Sequence, residues 1–289
     1  MNMREQFCWE GFPDRINTKY IGRKVYFYEC TDSTNVRAGL LASCKPGESA
    51  EEGAWHVSRE EETCAGHGTL VVAGMQTAGR GRRGREWESP AGKNLYFTLI
   101  LKPDFAPDKA SMLTLVMALA VARAVEKIAG IPCGIKWPND IVAGNRKICG
   151  ILTEMRVAQG RIAHVLVGVG INVGKQHFPP ELVDKATDIE TECGKGISKQ
   201  ALLTAVMEAF EEEYELFLET LDLSGLRERY NSCLVNCNRE VRVLDPKGEF
   251  AGRALGINDA GELLVELPDG SVTEVYAGEV SVRGLYGYV

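Results

Sequence analysis

The spacing of apolar residues divides this chain into short strands, two long helices and a strand-rich end. Val25-Tyr-Phe-Tyr28 reads as a first strand. It runs into the polar cluster Thr31-Asp-Ser-Thr-Asn35, which is suited to capping a helix that continues through Leu41. Thr69-Leu-Val-Val-Ala73 and Asn94-Leu-Tyr-Phe-Thr-Leu-Ile-Leu101 are β-rich runs. Over residues 108–129, Leu113, Val116, Met117, Ala120, Val121, Ala124, Val125 and Ile128 recur at helical spacing and predict a broad buried face. Residues 131–138 read as a short strand stopped by proline, 142–145 as a turn and 147–155 as a strand. Gln159-Gly160 turns into a nearly continuous apolar strand over 162–172. Ser198 is placed to cap a helix reaching Leu221, and a shorter helix is expected around 226–230.

From Glu240 the texture changes. Five short apolar runs follow, and the first four are separated by Asp245-Pro-Lys-Gly, Asn258-Asp-Ala-Gly and Pro268-Asp-Gly, all of them turn chemistry. That pattern predicts a small SH3-like β-barrel. The fold class is therefore α+β, with a domain over 1–237 built on a central mixed sheet and a second domain over 238–289. Residues 44–66, acidic and aperiodic, read as a mobile surface excursion.

The whole chain is acidic, with a net charge of −7, which argues against a general nucleic-acid binder. The N-terminus lacks the apolar core of a signal peptide, and the most hydrophobic stretch is too short to span a bilayer and is interrupted by Arg123. A cytoplasmic location with no membrane partner is expected. Nine scattered cysteines, with no Cys-x-x-Cys pair and no histidines at ligand spacing, fit neither a disulfide framework nor a structural zinc.

Against this acidic background, residues 76–87 read Gln-Thr-Ala-Gly-Arg-Gly-Arg-Arg-Gly-Arg-Glu-Trp. Four arginines are interleaved with glycines that let the backbone approach a ligand closely. The chemistry is that of an anion clamp, poorly ordered until an anion neutralises it. Gly79-x-Gly81-x-x-Gly84 also matches a dinucleotide fingerprint. A strand rather than a helix follows it, however, and Asp104 lies between prolines at no strand end, so that reading fails.

Five blocks then fall in order: Ser33-Thr-Asn35, the Gln76–Trp87 stretch, Lys136-Trp-Pro-Asn-Asp140, Arg146-Lys-Ile-Cys-Gly-Ile-Leu152 and Gly168-Val-Gly-Ile-Asn172. Together with the small C-terminal barrel they resemble the biotin protein ligase family, from about residue 20 to the C-terminus. The resemblance implies a class II synthetase-like catalytic domain that activates biotin with ATP to biotinyl-5′-adenylate. The biotin is then passed to a lysine of a biotin carboxyl carrier domain. It implies Ser33, Thr34, Asn35 and Gln76 at the ureido ring. Gly79, Arg80, Gly81 and Arg82 are implied around the carboxylate and α-phosphate.

By the same resemblance Lys147 meets the carboxylate and the developing phosphate charge, with Lys147 and Arg82 as the catalytic pair. Arg80, Arg83, Arg85, Lys136, Asn139, Asp140 and Asn172 are expected toward ATP, with Asp140 a candidate ligand for Mg²⁺. Trp87 reads either as a stacking partner for adenine or as core. Ser33-Thr-Asn35 reads as a helix cap as well as a ligand contact, and the two roles are compatible. Only about 24 residues precede the first strand, too few for the N-terminal DNA-binding module of many bacterial members, so no DNA partner is expected. Family members occur as monomers and as dimers, often through sheet edges, which leaves a homodimer open. The rival readings are a lipoate ligase or octanoyltransferase, which shares the fold, and a non-catalytic biotin- or nucleotide-binding regulator.

Overall fold

The computed structural model describes residues 12–44, 55–56, 65–245, 248–277 and 281–284. A short helix α1 (Phe12–Arg15) precedes β1 (Val25–Tyr28), helix α2 (Thr34–Ser43) and a two-residue strand β2 (Trp55–His56). Then come β3 (Thr69–Ala73), β4 (Leu95–Leu101), helix α3 (Leu113–Ala129), β5 (Gly134–Lys136), β6 (Asp140–Ala143), β7 (Arg146–Ala158) and β8 (Arg161–Ile171). These strands form one eight-stranded sheet in the order β2-β1-β3-β4-β8-β7-β6-β5. Only β1 and β3 run parallel within it.

The strands at the centre of this sheet are covered on both faces, which is why β3, β4 and the second half of β8 read as nearly continuous apolar runs. Side chains nevertheless alternate between two cores. Leu70 and Val72 of β3, Leu95, Phe97, Leu99 and Leu101 of β4, and Val165, Val167, Val169 and Ile171 of β8 enter the large core. That core is closed by α3 and by the later helix α5 (Lys199–Thr220), whose N-cap Ser198 accepts from Ala201 N at 3.2 Å. Val71, Ala73, Ile100 and Leu166 face the other way, onto a smaller core under α2 with Tyr26, Tyr28, Ala38 and Leu41. Thr98, Gly168 and Gly170 share this second face by period. Arg123, the charge inside the apolar α3, is held by the fully buried Glu213 and by Glu212 on α5. Arg229 also reaches Glu213, at 3.0 Å, from helix α6 (Arg227–Cys233).

Several expectations need correction. Most of the 44–66 segment lies outside the described residues, but Trp55–His56 inside it pairs antiparallel with β1 and so extends the sheet. The turn expected over 142–145 shrinks to Gly144-Asn145, because Asp140–Ala143 is a strand paired with β7. Both turn residues have positive φ (55° and 64°), so two residues suffice to reverse the chain. A short helix α4 (Ile189–Cys193) was not signalled by period; Asp188 caps it, accepting from Thr191 N at 2.8 Å.

The C-terminal strands β9 (Glu240–Leu244), β10 (Phe250–Ile257), β11 (Leu263–Glu266), β12 (Val272–Val275) and β13 (Ser281–Gly284) form a second, fully antiparallel sheet in the order β12-β11-β10-β9-β13. All five expected strands are present. Among the described residues β12 and β13 remain its two edges. This unit is attached to the first sheet by polar contacts as well as packing. The buried Trp137 donates from Nε1 to Gly261 O at 3.0 Å, and Asn231 Oδ1 accepts from Ile257 N at 2.8 Å.

Candidate functional site

A cleft of about 460 Å³ opens over the middle of the eight-stranded sheet, between the start of α2, the β3–β4 connection and the β6–β7 hairpin. Its floor is made of glycine. Gly150 of β7 pairs with Gly170 of β8, and Leu152 pairs with Gly168. A Cβ on Gly170 would lie 2.4 Å from Trp87 Nε1, and one on Gly150 would lie 2.9 Å from Trp87 Cζ3. Only glycines at this cross-strand pair let the indole lie flat on the sheet. Gly168 does the same for Asn35, whose Oδ1 lies 2.1 Å from where a Cβ would stand.

One wall is the first turn of α2. Ser33 occupies the N-cap position with extended backbone, yet its side chain makes no cap hydrogen bond, and its own N–H is taken by Asp32 Oδ1 at 2.7 Å. The Thr34 amide and hydroxyl both point to Gln76 Oε1, at 2.8 and 3.1 Å, while Gln76 Nε2 donates to Ser89 Oγ at 2.8 Å. Asn35 is more committed. Its Oδ1 accepts from Thr98 Oγ1 at 2.6 Å, and its Nδ2 donates to Glu154 Oε2 at 2.8 Å, with Leu152 O at 3.4 Å. These bonds use both side-chain amide hydrogens of Asn35, so the side chain builds the wall of the slot and has no N–H left to offer a ring inside it.

The other wall is the arginine-glycine segment. It is not an open loop but a hairpin: Trp87 N donates to Gly79 O at 2.9 Å and Gly81 N to Arg85 O at 2.7 Å. The turn is one 3₁₀ turn over Arg82–Gly84, with Arg83 and Gly84 in the left-handed region. The hairpin points its arginines in different directions. Arg80 pairs with Glu154 on β7 at 2.9 Å. Arg82 donates to Asn139 Oδ1 at 2.7 Å and to Ala277 O, beyond β12, at 2.5 Å. Burial pulls the Arg82 guanidinium below its ordinary pKa, and Asp140 partly offsets this. Arg83 and Arg85 are exposed, with no side-chain partner among the described residues.

Lys147 stands at the far end of the glycine floor. Its Nζ lies 2.5 Å from Asp140 Oδ1 and 5.2 Å from the centroid of the Trp87 ring. Asn139 Nδ2 reaches the same Asp140 oxygen at 3.2 Å. Arg82, Asn139, Asp140 and Lys147 therefore form one chain of guanidinium, amide, carboxylate and ammonium across the cleft. Such a row holds two cations at fixed separation with a single carboxylate between them.

Sequence reasoning named most of these residues, and the cleft gathers Ser33, Thr34, Asn35, Gln76, Arg80, Gly81, Arg82, Trp87, Asn139 and Lys147. Gly79 lies just behind it, where a Cβ would sit 2.3 Å from Trp87 O. Of the residues expected toward the nucleotide, Arg83, Arg85, Lys136, Asp140 and Asn172 are not in its lining; Asp140 lies just behind it on Lys147. Lys136 is buried within β5, and Asn172 is buried with its Nδ2 on Thr187 O at 3.1 Å, holding the segment before α4. Thr98 and Glu154 were missed. Thr98 did carry a signal, being the single polar residue in an otherwise apolar strand. Ala277 carried none, because it contributes only its carbonyl.

Comparison with known proteins places this chain in a family. Residues 58–172 match the Biotin/lipoate A/B protein ligase family and residues 237–283 match the Biotin protein ligase C terminal domain. The chain is 34% identical over 269 residues to the Bifunctional ligase/repressor BirA of Bacillus subtilis, covering 92% of this chain and 76% of that protein. It is 32% identical over 249 residues to the Biotin--[acetyl-CoA-carboxylase] ligase of Paracoccus denitrificans, covering 83% of this chain and 93% of that protein. Among solved structures, the biotin protein ligase from Aquifex aeolicus in complex with biotin and ATP superposes with a TM-score of 0.73 at 28% identity, over 91% of this chain and 99% of that one. With the same two matched segments in order and relatives aligned over most of their own length, the chain belongs to the biotin protein ligase family.

Proposed function

We propose that the chain joins biotin to ATP as biotinyl-5′-adenylate and transfers the biotinyl group to a lysine of a biotin carboxyl carrier domain. The observation that carries this reading is the convergence, in one cleft of a family member, of the polar slot at Thr34 and Gln76 with the cation row from Arg82 to Lys147. A carboxylate oxygen of biotin attacks the α-phosphorus of ATP, and the bond to the β-phosphate oxygen breaks, releasing pyrophosphate. The acceptor amine then attacks the acyl carbon, the acyl–phosphate bond breaks, and AMP leaves with its electron pair.

Each residue contributes electrostatics or shape. Neither step needs a covalent link to the protein. Ser33 and Gln76 supply the donors and acceptors a urea requires, with Thr34 and Asn35 fixing their positions. Lys147 and Arg82 offset the negative charge that builds on the carboxylate and α-phosphate. Asp140 lies between them, holding the two cations apart and in place until the ligand arrives. Trp87 sits beside Lys147, so its place is at the reacting bond rather than at adenine. Its indole Nε1 is buried without a partner among the described residues, and a ligand oxygen would satisfy it. Arg83 and Arg85 are left to meet the triphosphate.

Mg²⁺ fits this site only as a companion of the triphosphate. Among the described residues no cluster of three acidic or other ligating side chains exists, and Asp140 alone would supply a protein oxygen. That matches the habit of Mg²⁺ to keep waters and bind substrate phosphates through one or two carboxylates. When bound, it neutralises charge on the leaving pyrophosphate.

The test is biotin- and ATP-dependent labelling of a biotin carboxyl carrier domain, with pyrophosphate release measured in parallel and with and without Mg²⁺. Charging of a lipoyl domain in preference to the carrier domain would overturn the reading in favour of a lipoate ligase. Ligand binding without pyrophosphate release would favour a silent regulator.

A further inference from the structure

Glu154 is a carboxylate that the reaction just described does not use. It projects from β7 beside the slot and holds two elements that are far apart in sequence. Its Oε2 accepts from Asn35 Nδ2 at 2.8 Å on α2, and its Oε1 lies 2.9 Å from Arg80 Nη2 on the hairpin. Asn35 is nearly fully buried and also takes the hydroxyl of the fully buried Thr98. The Arg80 side chain is half exposed. One carboxylate thus joins a buried wall to a partly exposed one.

We propose that Glu154 is a positioning residue: it sets the face that α2 turns to biotin through Asn35, and it latches the arginine-glycine hairpin over the bound adenylate through Arg80. This proposal rests on the biotinyl-adenylate reading given above. The two walls approach the ligand from opposite sides. Their backbones are tied at the base of the hairpin, where Thr77 N donates to Thr31 O at 2.8 Å and Ala78 N to Asp32 O at 2.9 Å. Among the described residues no backbone hydrogen bond joins α2 to residues 79–87 beyond that base. Arg80 therefore differs from Arg83 and Arg85. Its charge is already answered by protein, so its work is to close the cleft rather than to bind phosphate. A charge pair of this kind orients best once ligand excludes water from it.

Two substitutions at Glu154 separate the two roles. Glu154→Gln keeps an oxygen that can accept from Asn35 and removes the charge that holds Arg80. Glu154→Leu removes both. Adenylate preformed on the protein from biotin and ATP is chased with unlabelled ligand, and its loss is followed alongside biotin affinity measured by calorimetry. Glu154→Gln is expected to speed adenylate loss about fivefold, the scale of one partly exposed charge pair, with biotin affinity close to wild type. Glu154→Leu is expected to weaken biotin binding as well, by a further fivefold or so.

Arg80→Ala, on the exposed hairpin, should match the Gln variant, and combining the two should add nothing. The charge-reversed pair Arg80→Glu with Glu154→Arg should restore retention while leaving biotin affinity low, because Asn35 has lost its acceptor. Wild-type retention in Glu154→Gln or in Arg80→Ala, or effects that add in the double variant, would overturn the latch. Failure of the unaltered protein to form adenylate at all would instead sink the functional reading beneath it.

Discussion

Replacing Gly170 with alanine should damage ligand retention far more than folding. The new Cβ would lie 2.4 Å from Trp87 Nε1, 2.5 Å from Cε2 and 2.9 Å from Cζ2. Ordinary contact needs about 3.4 Å or more, so the indole must lift by roughly 1 Å. The backbone does not oppose the methyl: Gly170 sits in β8 and is not among the positive-φ residues, so alanine is compatible with its backbone and restricts the unfolded chain by a few tenths of a kcal/mol. Trp87 can yield, since it is half-buried on a hairpin. Lifting it forfeits packing on the sheet and the Lys147 contact, together about 1–2 kcal/mol.

Where the ligand must share that space, the same displacement appears as a loss of affinity of about tenfold for each 1.4 kcal/mol. We expect Gly170→Ala to release preformed biotinyl-adenylate at least tenfold faster while the melting temperature falls by less than about 3 °C. Gly168→Ala is the contrast. There the Cβ would meet Asn35 Oδ1 at 2.1 Å, and Asn35 is buried and bonded on every side, so folding should suffer by about 2–4 kcal/mol. Wild-type adenylate retention in Gly170→Ala, or thermal destabilisation equal to that of Gly168→Ala, would refute the account of the glycine floor.

Other outcomes follow from single contacts. Glu211, nearly fully buried, accepts from the amides of Lys19, Tyr20 and Ile21 at 2.6, 3.0 and 2.9 Å; Glu211→Ala should cost about 3 kcal/mol, seen as a lower urea midpoint. His67 accepts from Lys102 N at 3.0 Å and lies beside Tyr20 and Tyr214, and burial holds its pKa below the ordinary 6.5. The unfolded imidazole therefore binds a proton more readily, and stability should fall as pH drops below about 6.5, by up to 1.4 kcal/mol per unit; the slope should lessen in His67→Gln when denaturation is followed from pH 7 to 5. Arg82→Ala removes the donors to Asn139 and Ala277 as well as a cation, so free biotinyl-AMP should accumulate in solution; retention equal to wild type would count against the clamp.

Local pattern was enough for most of the elements, though β2, β6 and α4 escaped it, and most of the site roles came from the family resemblance. Period located α3, although the helix begins at Leu113 after a 3₁₀ turn rather than at 108. Period with the Ser198 cap located α5, and period with turn chemistry located the five C-terminal strands, because a helix or strand that buries one face writes that face into consecutive residues. The arginine-glycine stretch was legible because its residue types are unusual at short range, whereas Lys147 was marked only through the family resemblance. Tertiary structure decided what those residues face. Asn35 turns its amide into protein because Thr98 and Glu154 arrive from β4 and β7, and Asn172 turns away because Thr187 needs its amide. Trp87 lies on the sheet beside Lys147 because β7 and β8 pair in the register that sets Gly150 opposite Gly170. Arg82 meets Ala277 across nearly two hundred residues of chain, at a carbonyl no composition could mark. Strand order and register join distant segments, and no spacing along the chain encodes which carboxylate will stand beside which arginine.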